Sequence, residues 1–175
     1  MKKIFILLLM TILCSSSGNL CLAENADTVE NSVTSLSAVI KVMSAKIGPD
    51  GGIIKVEKEC PIKGLEINIP AGAYKNEKNF NISYRLVPAN QYEGKAIPYS
   101  PLIIINNGGE YADKIIKVKI PVKLPEGVFA MAGYANPNTL DITDMLPPVE
   151  TQKDCLISIT RHFQNPIIVT GTTMK

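Results

Sequence analysis

From about residue 54 the chain is governed by a two-residue alternation of apolar and polar positions. Ile54 and Val56 point one way while Lys55 and Glu57 point the other. Leu65, Ile67 and Ile69 alternate with Glu66 and Asn68; Phe80, Ile82, Tyr84 and Leu86 alternate with Asn81, Ser83 and Arg85. Ile116, Val118 and Ile120 alternate with Lys117 and Lys119, and Ile157 and Ile159 with Ser158. A period of two with one wet face is the strand signature. Residues 102–105 and 128–132 are continuous apolar runs, which predict strands covered on both sides. The alternating segments are separated by Gly48-Pro49-Asp50-Gly51-Gly52, Pro70-Ala71-Gly72, Asn106-Asn107-Gly108-Gly109, Pro125-Glu126-Gly127 and Pro147-Pro148. Glycine permits a positive φ and proline presets a turn, so each of these ends a strand for a stated reason. No long helical periodicity follows the N-terminal segment. The pattern predicts an all-β chain, a single antiparallel β-sandwich of about eight or nine strands.

The N-terminus carries a different signal. Met1-Lys2-Lys3 is followed by an apolar run over residues 4–13 and a small, polar exit ending Cys21-Leu22-Ala23. These are the parts of a secretory signal peptide, with cleavage expected after Ala23. A run of about ten residues is half of what a bilayer-spanning helix needs, so no transmembrane segment is expected in the mature chain. Lipoprotein processing at Cys14 is the weaker expectation, because Leu13 ahead of it is not small. The short Lys-Lys leader is bacterial in style, and an exported location follows: periplasm, cell surface or medium. Residues 24–37, rich in Asn, Ser, Thr and Glu, read as a flexible tether. Residues 38–175 then form the sandwich domain.

Removing the leader changes both charge and cysteine chemistry. The whole chain has 18 Lys+Arg against 16 Asp+Glu. Lys2 and Lys3 account for the excess, so the mature chain is near neutral and gives no electrostatic reason to expect nucleic-acid binding. Of four cysteines, Cys60 and Cys155 remain after processing. An even pair in an oxidising compartment predicts a Cys60–Cys155 disulfide, worth roughly 4–5 kcal/mol for so long a loop.

Ile69-Pro70-Ala71-Gly72-Ala73-Tyr74 and Thr160-Arg161-His162-Phe163-Gln164, with Gly51-Gly52 upstream and Pro101 between, resemble the ZU-five (zonula occludens and uncoordinated-five) domain over residues 47–171. Ala71 stands where that family often has a second proline. The resemblance implies an all-β interaction module, since ZU-five domains act chiefly through protein contacts, as in ankyrins with spectrin. In some members a His-Phe-Ser sequence cleaves its own backbone. Here His162 and Phe163 match but Gln164 replaces the serine, and a glutamine amide is no nucleophile, so the chain is expected to stay whole at that bond.

Residue counts narrow the remaining chemistry. One histidine and two cysteines cannot make the usual zinc sets, and neither a nucleophile elbow nor a phosphate-cradling loop is present. Asp50 reads as a turn residue rather than a calcium ligand, and Asp141 with Asp144 as turn acids rather than a hydrolytic pair. Asn81-Ile82-Ser83 matches an N-glycosylation acceptor by its three residues alone. Lys117, Lys119 and Lys123 read as a solvated face or as protection of a strand edge, with a contact for an anionic partner the weaker expectation. No cofactor, metal or catalytic residue is expected. The expected function is a non-catalytic module binding a protein or surface polymer, through the stretches 88–100 and 134–149 and their Tyr92, Tyr99 and Tyr134. The alternatives are a glycan-binding module using loop tyrosines, among them Tyr111, and a small extracytoplasmic enzyme.

Overall fold

The computed structural model describes residues 37–88 and 96–173. The expected leader and almost all of the tether lie outside the described residues. Twelve strands and no helix are present among them. They are β1 (Ile40–Ile47), β2 (Gly52–Lys55), β3 (Glu66–Ile69), β4 (Lys78–Arg85), β5 (Ile97–Pro98), β6 (Leu102–Asn106), β7 (Ile116–Pro121), β8 (Val128–Ala135), β9 (Ile142–Met145), β10 (Pro148–Gln152), β11 (Cys155–Thr160) and β12 (Ile167–Thr173). All pairings are antiparallel. One sheet has the order β1-β4-β6-β12-β8-β9, with β5 also on β12; the other has the order β10-β11-β7-β3-β2. The three strands beyond the expected count are short or wholly exposed: β5 has two residues, and every residue of β9 and β10 is exposed. Such strands carry no inside-outside contrast for a pattern to display.

The inner faces of both sheets feed one apolar core. Ile54, Ile67, Val118, Ile120 and Leu156 come from the five-stranded sheet, and Phe80, Ile82, Ile103, Ala132 and Val169 from its partner. Burial of these side chains is the main driving force for the sandwich. A satellite cluster of Leu102, Ala135, Leu140 and Ile168 covers part of the outer face of the larger sheet.

Alternation identifies the inner face correctly on β2, β3, β7 and most of β4. It breaks at the end of β4, where Arg85 is buried and Leu86 is 49% exposed. Arg85 stands opposite Leu102, on the face that the satellite cluster covers, and the strand ends before Leu86. On β11 the expected faces are reversed. Leu156, Ser158 and Thr160 are buried, while Ile157 and Ile159 are half-buried opposite Lys119 and Lys117. The aliphatic stems of lysines can cover such neighbours while their ammonium groups stay wet. Phe129, expected to be covered on both sides, is 50% exposed on the outer face of β8. Lys117 and Lys119 guard no edge, because β7 lies in the middle of its sheet with Lys119 opposite Glu66.

The two glycine-containing segments that flank the start of the domain meet in space. The Gly72 N–H donates to the Pro49 carbonyl at 2.7 Å, and Lys114 Nζ donates to the Ala71 carbonyl at 2.5 Å. The Ile69–Tyr74 stretch is thus a packed turn junction between the sheets, closed by Tyr74 in the core.

Candidate functional site

The end of β11 builds the most chemically distinctive site among the described residues. Thr160 is the last strand residue, and its hydroxyl accepts the His162 N–H at 3.1 Å, a local turn that lifts residue 162 out of the ladder. The imidazole then lies between two phenol rings. Its centroid is 4.7 Å from that of Tyr134, nearly parallel, and 4.6 Å from that of Tyr111 at a tilt of 38°. Offset aromatic contacts of this kind add to simple area burial.

Tyr134 ties the sheets together. It projects from β8 of the larger sheet, its hydroxyl donates to the His162 carbonyl at 2.6 Å, and it shares a hydrogen bond with the Thr160 hydroxyl on β11. Burial pushes the phenol up to about 12, with the Asp144 carboxylate adding to the rise and the Thr160 hydrogen bond opposing it. Tyr134 therefore remains a neutral donor. The His162 Nδ1 atom is buried without a hydrogen-bond partner. The residue's backbone is thus satisfied locally while this ring nitrogen is not.

Beside this stack lies an open cleft of about 290 Å³. Its floor is apolar, from Ile115, Met145, Leu146, Pro147 and Ile159; Asp144 and Arg161 supply the charges. Arg161 is held by its Nε–H to the Ala112 carbonyl at 2.8 Å, and the Asp144 carboxylate accepts the Met145 N–H at 2.8 Å. The exposed edge strand β9 lines the cleft through Asp144 and Met145, and Leu146 and Pro147 lead from it to β10, the edge strand of the other sheet. Thr160 is engaged with Tyr134 and the backbone of residue 162. No hydrogen bond links its hydroxyl to the imidazole. Among the described residues no group of three or more His, Cys, Asp or Glu side chains is placed to hold a metal ion.

The structure redistributes the residues expected to bind a partner. Tyr92 lies outside the described residues. Tyr134 is no loop residue: it sits in β8 at 3% exposure, because the stretch 134–149 contains the end of that strand and all of β9. Tyr99 is half-buried against β12. Its N–H donates to the Val169 carbonyl at 2.8 Å, and its ring lies where a Cβ on Gly171 would come within 2.9 Å. That packing makes Tyr99 a structural cover over Gly171. Tyr111, at 55% exposure, does not line the cleft itself but covers the His162 ring that does. Gln164 is exposed, its amide donating to the Gly109 carbonyl at 3.3 Å. Asn81 is exposed on β4, its carbonyl oxygen accepting from Ser44. Ile115 and Met145 escaped the sequence reading, since neither falls in an alternating run.

The expected disulfide is absent from this structure, where Cys60 and Cys155 are both free. Cys155 shares the outer face of β11 with Ile157 and Ile159 by register, and its thiol donates to Gln152 Oε1 at 3.3 Å. Cys60 instead packs against the inner core from the connection after β2. Thiol titration of denatured, unreduced mature protein should therefore find two reactive thiols per chain; a count of zero would restore the bridge.

No family model and no curated protein matches this chain.

Proposed function

We propose that this chain is an exported, non-catalytic β-sandwich interaction module of ZU-five type that binds a protein partner through the cleft between β9 and the end of β11. The reading rests chiefly on one observation: a histidine stacked between two tyrosines beside an apolar floor that is bordered by the exposed edge strand β9. Aromatic groups next to a desolvated apolar surface are the usual anchors of protein recognition, and edge strands offer unpaired backbone groups to a partner. The chemistry of the cleft favours binding over turnover, because its hydroxyl and carboxylate are both engaged in local structure. Export is part of the proposal and rests on the leader; no helix among the described residues is long and apolar enough to cross a membrane. Among the described tyrosines, Tyr111 is the exposed ring on which the glycan-binding alternative draws.

A photo-crosslinking residue placed at Tyr111 or Met145, in protein made by its native host, tests this reading. A discrete protein adduct is expected from both positions and none from position 79 on the outer face of β4. Adducts equal at all three positions, or catalytic turnover abolished by His162→Ala, would replace it.

A further inference from the structure

The connection after β6 reads Asn106-Asn107-Gly108-Gly109. An asparagine followed by glycine is the arrangement in which the next backbone nitrogen most easily reaches the side-chain carbonyl carbon, since residue 108 has no Cβ to obstruct it. The fold occupies every group that this reaction needs. Asn107 is 3% exposed. Its Nδ2 donates to the Tyr74 hydroxyl at 2.8 Å and to the Glu110 carbonyl at 3.1 Å, and its Oδ1 accepts the Gly109 N–H at 3.1 Å. The Gly108 N–H, on the atom that would attack, donates to Asn106 Oδ1 at 2.9 Å.

We propose that Asn107-Gly108 is a deamidation site held closed by the fold, with Tyr74 and Asn106 as its two guards. When the turn opens, hydroxide removes the Gly108 amide proton and that nitrogen attacks Asn107 Cγ. The Cγ–Nδ2 bond breaks and ammonia leaves, giving a five-membered succinimide. Water then adds to either ring carbonyl and yields aspartyl or isoaspartyl product. One water is consumed, one ammonia is released, and nothing is oxidised or reduced. The product cannot return to the closed arrangement. It has lost the donor to the Glu110 carbonyl and carries a carboxylate where the site is almost dry, which is costly without compensating partners. The isoaspartyl form also lengthens the main chain by one methylene. The reaction is thus an irreversible record of opening at this end of the sandwich, and it is independent of the cleft.

The test is peptide mapping by mass, with isoaspartyl detection, after incubation in mildly alkaline buffer. Because reaction through an open state scales with the open fraction, folded protein should convert Asn107 at least about tenfold more slowly than protein in urea. Tyr74→Phe and, separately, Asn106→Ala should each speed conversion at Asn107 in folded protein while leaving Asn79 and Asn165 unchanged. Asn106 is exposed, so its variant also serves if Tyr74→Phe fails to fold. Equal rates in buffer and urea, or no acceleration in the folded Asn106→Ala protein, would overturn the proposal.

Discussion

Gly51→Ala should destabilise the fold by about 3–5 kcal/mol, combining left-handed backbone strain with overpacking. Gly51 has φ of 73°, a conformation that side chains with a Cβ rarely adopt. A Cβ there would also collide with the Ile69 carbonyl oxygen and come within 2.6 Å of the Pro70 carbonyl carbon and 2.7 Å of the Ala71 nitrogen. These are backbone atoms of the turn that Gly72 fastens to Pro49, so the clash has no flexible side chain to absorb it. Gly127→Ala isolates the strain component. Its φ of 76° is nearly the same, but nothing lies within 4 Å of the added carbon, and a loss of about 1 kcal/mol is expected. Urea melts of the two variants decide the matter: equal losses would show that the packing of the two turns contributes nothing.

Tyr134→Phe is the second large effect, expected to cost about 1–3 kcal/mol because two hydrogen bonds, to the His162 carbonyl and to the Thr160 hydroxyl, are lost together while the local Thr160–His162 bonds remain. The ring and its stack with His162 remain, so the loss reports on the hydroxyl that joins β8 to the end of β11. The alkaline limb adds a sharper test. With the folded phenol pushed up to about 12 from its ordinary value of 10, the folded state holds a proton there that the unfolded chain releases. Stability from this group is complete below pH 10 and is lost as pH rises through 12. Burial also raises Tyr74, so some alkaline loss will persist in the variant. Wild type should nonetheless lose stability more steeply between those values than Tyr134→Phe. Parallel alkaline limbs would show that Tyr134 titrates freely and does not bridge the sheets.

The site was half legible in the sequence. Thr160 to Gln164 stood out as a motif, and His162 with Thr160 does form one wall of the cleft. The opposite wall did not stand out, because Asp144 and Met145 lie in a strand whose residues are all exposed and Ile115 lies outside the alternating run. The placement of Tyr134 in a loop failed for a physical reason. Irregular composition around residue 134 suggested a loop, yet Tyr134 satisfies its hydroxyl on the opposite sheet and can therefore be buried. Similarly, an even number of cysteines says nothing of which side of a strand each thiol takes, and register places Cys155 away from the core that Cys60 touches.

Sequence by itself determined that this is a sandwich of antiparallel strands with a core led by Ile67, Ile82 and Val118, and that its turns fall at glycine and proline clusters. Alternation separates the two faces of a strand, and breakers end it, because both effects act over a few neighbouring residues. Only the tertiary structure decided which face of β11 turns inward, that β9 and β10 exist, and that Tyr111, His162 and Tyr134 form one stack. Each of these depends on which distant strand lies alongside, and a face that carries Ile157 and Ile159 looks no less core-like than one that carries Leu156 until that pairing is made.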